Sequence, residues 1–408
     1  MEAHPIIPHL FKTEYRKIAA VLFRRFGFDH FETAEDIVSD TFLSATETWQ
    51  RQGLPDNPVA WLYTVAGNKA KNLLKHQQVV TRNAAANAGH ETTEEMPEID
   101  LSPENIRDSQ LQMMFTVCHP AIPAEAQIGL ALRLLCGFSI TEIADAFLTS
   151  KETINKRLLR GKDKLREANI AIQFPGPDET GRRLEIVLRT LYLLFNEGYY
   201  SASHNTPLRR ELCFEAMRLT QLLTENAATN QPPVNALLAL MCFQSSRFDA
   251  RTSSSGDTIL YSDQDTSLWN DALIAQGEHY LHHSSQGDQL TRYHLEAGIA
   301  YWHTIRQDTP DKWQQILQLY NHLLQLEYSP IAALNRTYVL SRVHGKAKAI
   351  AEAEKLQLNG HHLYHTLLGE LYTGADNQQA LLHFEKAMML CSAPADKKLI
   401  AAKMLRCR

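Results

Sequence analysis

The sequence predicts an all-α fold, and three observations support this prediction. Apolar residues recur three and four positions apart from about His9 to Gln78, from Leu111 to Ile172 and over most of the chain after Thr180, which is the period of amphipathic helices. Strand-like alternation is nearly absent, and glycine and proline separate the helical segments. The chain has 408 residues, of which 44% are hydrophobic and 21% charged. This balance excludes a disordered or fibrous chain and allows several domains.

Charge and cysteine usage limit the possible classes of function. The formal net charge is −5, so any contact with nucleic acid must come from local basic patches. The six cysteines form no C-x-x-C pair, which argues against a disulfide framework and a cysteine zinc site. We find no signal-peptide pattern and no apolar stretch of roughly 18 residues. These features together predict a cytoplasmic protein with reduced thiols and no membrane partner.

The helical pattern divides the chain into zones. We expect a first helical domain over 1–80, a linker over 81–109, a second helical domain over 110–173 and a larger helical domain over 180–408. The linker is strongly acidic, with seven carboxylates and one arginine between positions 91 and 108, and such a segment buries too little apolar surface to fold by itself. The Phe-Pro-Gly-Pro run at Phe174–Pro177 marks the last boundary.

A helix-turn-helix pattern follows Phe138. Ser139 and Glu142 fit a capping box for the first helix, Ala144 is small enough for a close helix crossing, and Ser150 can cap the second helix. The turn has Leu148 where many such motifs have glycine, so we expect a slightly different turn. The second helix is basic and has only two acidic residues before Glu167. Its seven basic residues are Lys151, Lys156, Arg157, Arg160, Lys162, Lys164 and Arg166. It predicts a DNA-binding helix, with a solvated face of an ordinary bundle as the alternative.

Two further surfaces are predicted in the first zone. A helix capped by Thr33 has an acidic face suited to a basic protein partner, although a merely solvated face has the same pattern. A helix that starts at Pro58 ends in polar and basic residues preceded by aromatic ones, namely Asn68, Lys69, Lys71, Asn72 and Lys75 after Trp61. Aromatic rings combined with cations suit single-stranded bases and their phosphates.

These motifs resemble the two conserved domains of extracytoplasmic-function sigma factors of bacterial RNA polymerase. The matching runs are A-E-D-I-V-S-D-T-F from Ala34, P-V-A-W-L-Y-T-V-A-G-N-K-A from Pro58 and the helix-turn-helix, and they cover about the first 170 residues. The L-F-N-E-G-Y run from Leu194 and the C-H-P-A-I-P-A-E-A-Q run from Cys118 resemble the subgroup with a long tetratricopeptide-like extension. A degenerate repeat of small and large residues after Ala349 fits that extension.

The resemblance implies residue roles. Core RNA polymerase, through its largest subunits, would bind Glu35, Asp36, Ser39, Asp40 and Phe42. Unpaired minus-ten DNA would bind Trp61, Asn68, Lys69, Lys71, Asn72 and Lys75, although Trp61 also suits the domain core. The minus-thirty-five element would contact Ser150, Lys151, Thr153, Asn155, Lys156, Arg157, Arg160 and Lys164, with the last three on phosphates. The C-terminal domain would regulate this activity, either as an inhibitor or as an activator. It could also bind a regulatory protein.

Other residue groups suggest rival interpretations. His361, His362 and His365, and likewise His279 with His282 and His283, have helical spacings that can share a metal ion, but no ligand pattern accompanies them. Asp263, Gln264, Asp265 and Trp269, with Arg247 and Arg251 before them, could line a ligand pocket or form a buried network that anchors helices. We expect no enzyme, no metal and no cofactor. The rivals are a helix-turn-helix regulator with a repeat-type sensor domain and no sigma activity, and a metal-dependent enzyme built on the histidines.

Overall fold

The computed structural model describes residues 6–86, 99–147, 149–200, 207–251, 259–392 and 394–407. Over these residues it contains nineteen α-helices and no β-strand, which confirms the predicted all-α class. The chain divides into two compact units, Met1–Leu193 and Leu194–Arg408. Within the described residues, no helix combines the length and the apolar character needed to cross a membrane.

The first unit contains eight helices, the last of which continues into the second unit. They are α1 (Ile7–Phe26), α2 (Phe31–Gln52), α3 (Pro58–Ala86), α4 (Pro103–Val117), α5 (Ala124–Leu134), α6 (Ile140–Ala146), α7 (Lys151–Glu167) and α8 (Pro177–Tyr200). Helices α1, α2 and α3 pack on one another, α4 packs on α1, and α7 packs on α5 and α6. The predicted apolar stripes form these contacts, since Ile18, Leu22, Val38 and Leu62 are fully buried.

Helix α2 begins earlier than predicted. Thr33 was expected to cap it, but the helix begins at Phe31 and Thr33 lies in its first turn. The cause is aromatic packing, because the ring of Phe31 stacks on that of Phe23 in α1 with 3.9 Å between ring centroids. A short 3-10 helix, Phe28–His30, leads directly into α2 and leaves no extended capping residue before it. A buried ring contact therefore sets this boundary and overrides the local capping preference.

Helix α4 begins inside the segment expected to be a linker. The side chain of Ser102 accepts a hydrogen bond from the backbone N–H of Asn105 at 3.3 Å, which caps the helix in front of Pro103. The backbone N–H of Ser102 in turn donates to Asp100 at 2.8 Å. Ile106 is already buried, so packing stabilises this first turn. Local caps and one apolar residue are enough to order the end of an otherwise polar segment.

Helix α3 enters the same segment from the other side and ends at Ala86. The central carboxylates of the segment lie outside the described residues: Glu91, Glu94, Glu95 and Glu98. The linker between the first two predicted domains therefore stays a prediction for this central stretch.

The first half of α8 packs within the first unit. The guanidinium of Arg183 donates to the backbone carbonyl of Phe115 at 2.6 Å, and the hydroxyl of Thr190 donates to the side-chain oxygen of Gln127 at 2.9 Å. All four residues lie before the division between the units at Leu193. The break at Phe174–Pro177 is therefore a loop inside the first unit, whereas the sequence pattern placed the domain boundary there.

The second unit consists of antiparallel helices that pack mostly on their neighbours in sequence. They are α9 (Pro207–Thr224), α10 (Pro232–Ser245), α11 (Phe248–Arg251), α12 (Asp271–Ser284), α13 (Arg292–Thr304), α14 (Pro310–Leu326), α15 (Pro330–His344), α16 (Lys346–Leu356), α17 (His362–Tyr372), α18 (Asn377–Leu390) and α19 (Pro394–Leu405). Five residues of the degenerate repeat are buried, namely Ala349, Ala353, Ala380, Phe384 and Ala387, whereas Leu356 is half-buried.

One close crossing in the second unit gives a stability prediction. A Cβ atom added to Gly369 in α17 would lie 2.6 Å from the ring of Phe384 in α18. We expect Gly369→Ala to lower the free energy of unfolding by about 1–3 kcal/mol, despite the higher helix propensity of alanine. Denaturant unfolding of the full chain measures this change.

The matched control is Gly360→Ala, because a Cβ atom there meets nothing within 4 Å. Replacing Phe384 with leucine in the Gly369→Ala background should restore part of the stability. Equal stability of the Gly369→Ala and Gly360→Ala proteins would contradict the close crossing.

Candidate nucleic-acid interface

Helices α6 and α7 are positioned by their caps. Ser139 and Glu142 form the predicted capping box, with the backbone N–H of Glu142 donating to the Ser139 hydroxyl at 3.2 Å and the backbone N–H of Ser139 donating to the Glu142 carboxylate at 2.8 Å. Ser150 caps α7 by accepting from the backbone N–H of Thr153 at 3.2 Å. Ile143 is buried between the two helices. Leu148, whose turn was expected to differ, lies outside the described residues.

A pair of glycines allows α7 to approach α5 closely. A Cβ atom on Gly161 would lie 3.2 Å from Leu130, and one on Gly129 would lie 3.0 Å from Leu158. The buried stripe of α7 consists of Ile154, Leu158, Gly161 and Leu165. Because this stripe takes up one side of the helix, the residues between its members face solvent.

The solvent-facing side of α7 carries the residues predicted to contact DNA. Ser150, Lys151, Thr153, Asn155, Lys156, Arg160 and Lys164 are exposed, and Arg157 is half-buried. Among the described residues, no carboxylate forms an ion pair with the five cations of this set. An array of cations without protein partners is available for phosphate groups, and the polar side chains at the start of α7 can reach base edges.

Lys162 differs from the other cations of α7. Its ammonium lies 3.8 Å from the centroid of the Phe31 ring, a distance typical of cation–π contacts. Burial lowers the pKa of Lys162. This lysine therefore contributes to the contact with the beginning of α2 and not to the exposed basic face.

The predicted single-strand surface lies on α3. Asn68, Asn72 and Lys75 are exposed, whereas Lys69 and Lys71 are half-buried. The ammonium of Lys69 donates to the backbone carbonyl of Asp40 at 3.0 Å and lies 3.9 Å from its carboxylate. Lys69 therefore joins α3 to α2, and the three exposed side chains form the accessible part of this surface.

Trp61 combines the two roles that the sequence left open. Its ring packs edge-on against Trp49 in α2, with 5.4 Å between ring centroids. Trp49 is buried, but Trp61 is only half-buried. One part of the Trp61 ring therefore stabilises the contact between α2 and α3, and another part remains accessible to a base.

The acidic residues predicted to bind polymerase lie on α2 and differ in accessibility. Asp36, Ser39 and Asp40 are exposed. Glu35 is half-buried and forms an ion pair with Arg133 of α5 at 2.8 Å. Of the four predicted residues, three are therefore exposed, with Asp40 next to Lys69 at 3.9 Å, and Glu35 has a partner within the same unit.

Phe42 is buried, although it was included among the polymerase-binding residues. Its ring contacts Phe11 and Tyr15 of α1 with centroid distances of 5.0 Å and 6.4 Å. In this arrangement Phe42 cannot touch a partner directly. It holds α2 against α1 and so positions the acidic surface.

The residue group around Trp269 in the second unit forms a buried network. The ammonium of Lys312 donates to the hydroxyl of Tyr261 at 2.8 Å and to the backbone carbonyl of Ile305 at 2.7 Å. The Tyr261 hydroxyl donates to the backbone carbonyl of His303 at 3.0 Å. Burial, together with the charges of Arg247 and Lys312, lowers the pKa of His303 to about 3. The network joins three segments, but its hydrogen bonds come from neighbours of the predicted group. Nε1 of Trp269, Nε of Arg247 and Oε1 of Gln264 are buried without a hydrogen-bond partner in the described part of the chain.

The aspartates of that group have a different role. Asp263 and Asp265 are exposed, and Asp265 accepts a hydrogen bond from the backbone N–H of Ser267 at 2.9 Å. The guanidinium of Arg251 lies 4.0 Å from the centroid of the Tyr199 ring. These side chains stabilise turns and helix contacts and do not line a common pocket.

In neither predicted histidine cluster do ligand nitrogens of all three members come together, although the rings of His279 and His283 lie 4.3 Å apart between centroids. In the first cluster, His365 contacts Nδ1 of His383 at 3.1 Å and the backbone carbonyl of Asn359 at 3.0 Å, while His361 caps α17. In the second cluster, Nδ1 of His283 contacts the backbone carbonyl of His279 at 2.8 Å. His362 instead lies near Asp396, which is distant in sequence. No local sequence pattern could indicate this contact.

Comparison with known proteins relates these surfaces to families. Residues 10–79, which include all of α2 and most of α1 and α3, match the family model of sigma-70 region 2. Residues 183–285 match a family of unknown function, DUF6596. A protein of Rhizobium meliloti (strain 1021), described as uncharacterized, is 30% identical over 384 residues, which cover 92% of this chain and 90% of that protein. No solved structure matches the chain.

The matched region 2 contains both the acidic surface of α2 and the polar surface of α3. This match indicates a role in transcription initiation, with interaction partners that include core RNA polymerase and promoter DNA. The identity over nearly the full length of both proteins extends the relationship beyond this region. The chain belongs to the same family as the Rhizobium protein, and its residues 10–79 match sigma-70 region 2.

Proposed function

We propose that this protein is an extracytoplasmic-function type sigma factor with a fused regulatory domain. In this role it binds core RNA polymerase in the cytoplasm, directs it to specific promoters and promotes melting of the DNA. The observation that carries the proposal is the combination, in one compact unit, of a sigma-70 region 2 domain with a capped and exposed basic helix. Region 2 supplies the surface for polymerase and unpaired DNA, and α7 supplies the surface for duplex DNA.

Recognition of duplex DNA is assigned to α7. The N-terminal part of a recognition helix usually lies deepest in the major groove, and here it presents Lys151, Thr153, Asn155 and Lys156. Lysine and asparagine side chains can bond base edges, while cations further along the helix contact phosphates. Arg160 and Lys164 occupy such later positions and are exposed. We therefore assign base recognition to the first two turns of α7 and phosphate contacts to the rest.

DNA melting is assigned to α3 of region 2. Its exposed Asn68, Asn72 and Lys75 can hold an unpaired strand, and the accessible part of Trp61 can contact a base. Binding only the unpaired conformation shifts the equilibrium between duplex and open DNA. The binding energy offsets the cost of unstacking, which is a few kcal/mol. No covalent chemistry is needed for this step.

The second unit is proposed to be a tetratricopeptide-like regulatory domain. Its helices pack successively, and the close crossing of α17 and α18 at Gly369 and Phe384 matches the small and large residues of the degenerate repeat. Arrays of this kind present extended surfaces to other proteins. The domain can therefore receive a regulatory protein or act on the first unit. Deleting the chain after about Pro175 would also remove packing by α8, so a functional test needs the full α8.

The main alternative is a helix-turn-helix regulator that acts without sigma activity. Such a regulator binds duplex DNA through α7 but has no need of region 2. The match over residues 10–79 favours the sigma factor. The metal-dependent enzyme is disfavoured for another reason, because the predicted histidine clusters do not converge.

The decisive experiment is in vitro transcription with core RNA polymerase, with and without this protein, on a library of promoter fragments. We expect transcription from a subset of fragments only when the protein is present. Asp36→Lys should abolish most of this transcription and weaken core binding, because it reverses an exposed charge on α2.

Glu385→Lys on the exposed surface of α18 is the matched control and should transcribe normally. Asp40→Lys is less informative, since Asp40 also neighbours Lys69. Binding of duplex DNA without any initiation would instead establish the alternative regulator.

The role of α7 predicts two kinds of loss. Arg160→Ala should weaken promoter binding on all sequences and reduce the slope of log affinity against log salt concentration by about one. Asn155→Ala should instead relax specificity at particular bases. Affinities of the polymerase complex for promoter fragments at several salt concentrations measure both effects.

Arg107→Ala, at an exposed arginine of α4, is the control and should leave the salt slope unchanged. If Arg107→Ala and Arg160→Ala gave the same slope, α7 would not be the phosphate-binding element.

The ion pair between Glu35 and Arg133 should compete with polymerase binding, because it engages one residue of the acidic surface. Partly exposed ion pairs contribute roughly 0.2–1 kcal/mol. Arg133→Ala should therefore increase core affinity by up to about fivefold.

Arg133→Lys keeps the charge and should leave core affinity nearly unchanged. Equilibrium binding of labelled protein to core polymerase measures both variants. Weaker binding of Arg133→Ala would show that Arg133 supports the polymerase-binding surface and does not compete with it.

A further inference from the structure

Three helix ends meet near the C-terminus of the second unit. Helices α17 and α18 form an antiparallel hairpin, and α19 packs back on α18. This topology brings together the first residue of α17, the residue after α18 and the third residue of α19. These are His362, Cys391 and Asp396, of which His362 is distant in sequence from the other two.

The side chains of these three residues converge. One ligand atom from each of them lies within 4.8 Å of the other two. Nε2 of His362 is 3.7 Å from Oδ2 of Asp396. The sulfur belongs to a buried cysteine, whose backbone N–H donates to the carbonyl of Ala387 at 2.9 Å and so fixes the residue at the end of α18. His362 and Asp396 are half-buried, so the group opens to solvent on one side.

The distances suit a bound metal after small side-chain rotations. Zinc binds sulfur at about 2.3 Å and nitrogen or oxygen at about 2.0–2.2 Å, so the ligand atoms of a tetrahedral site lie roughly 3.3–3.8 Å apart. Closing a separation of 4.8 Å to that range requires each side chain to move by about half an ångström. Such a movement is within the freedom of side chains at helix ends.

The donor set indicates which metal would bind. A thiolate and an imidazole favour zinc over calcium or magnesium, which prefer an all-oxygen set. A thiolate and a carboxylate together balance the two positive charges of the ion. Three protein ligands leave a fourth tetrahedral position, which water can take at the open side.

We propose that His362, Cys391 and Asp396 form a zinc-binding site that joins the ends of α17, α18 and α19. The site differs from the His361–His362–His365 cluster suggested by sequence spacing. His361 caps α17 by accepting from the backbone N–H of Leu363 at 3.3 Å, and His365 contacts His383. A bound ion adds a link across three helices and raises the stability of the folded second unit.

Cobalt(II) is the probe for this site, since it reports both thiolate ligation and tetrahedral geometry. The metal-free, reduced full-length protein is titrated with cobalt(II) and its absorption spectrum is recorded. We expect one equivalent to produce a thiolate-to-metal band in the near ultraviolet and tetrahedral bands in the visible range. Zinc should displace the cobalt and remove both bands.

Variants test the assignment of each ligand. Cys391→Ser should remove the thiolate band, and His362→Ala and Asp396→Asn should each weaken cobalt binding by more than about tenfold, a loss that even outer-shell partners can cause. Cys407→Ser changes another buried cysteine, just after the end of α19, and His361→Asn keeps a capping side chain beside the site. Both controls should bind cobalt normally.

Circular dichroism confirms that each variant is folded, and Asp396→Asn is the variant that keeps the buried core intact. A thiolate band that persists in Cys391→Ser, or the absence of any such band at one equivalent of cobalt in the unaltered protein, would overturn the proposal. The proposed sigma activity does not enter this measurement, so its failure would leave the zinc site unaffected.

Discussion

The close packing of α7 on α5 is the constraint on which the proposed DNA surface depends. Gly129 and Gly161 provide room for Leu158 and Leu130, and so the apolar stripe of α7 is buried along its length. A cation cannot be buried without a partner except at a large cost in free energy. Once the stripe is fixed against α5, Lys151, Lys156, Arg160 and Lys164 face solvent, whereas Lys162 packs on the Phe31 ring. One packing contact thus decides which side of the helix is available to DNA.

Contacts within the first unit also couple the proposed polymerase surface to the DNA-binding helices. The ion pair of Glu35 with Arg133 and the position of Lys162 over Phe31 connect α2 and its preceding turn to α5 and α7. Arg24 of α1 adds hydrogen bonds to Asn105 at 3.0 Å and to Ser109 at 3.4 Å. These contacts are polar and partly exposed, so each is weak enough to exchange for a partner.

The second unit combines an apolar helix array with a polar centre. Lys312 is almost completely buried, and its ammonium is satisfied by Tyr261 and the carbonyl of Ile305. Arg342 and the indole N–H of Trp313 both donate to Asp308 beside this centre. The hydrogen bonds of Lys312 favour this arrangement of helices, although Nδ1 of His303 and Nε of Arg247 are buried beside them without a hydrogen-bond partner among the described residues. Through Tyr261, the polar centre joins the segment 259–269 to α13 and α14.

Local sequence determined the fold class and the exposed basic face of α7. It also determined the capping box at Ser139, the cap at Ser150 and the start of α3 at Pro58. Each of these features depends on residues within about four positions of one another. Tertiary contacts decided what local patterns could not contain. The stacking of Phe31 on Phe23 moved the start of α2, the burial of Phe42 removed it from the accessible surface, and Arg133 engaged Glu35. The group of His362, Cys391 and Asp396 has the same origin, since only the antiparallel order of three helices brings these side chains together.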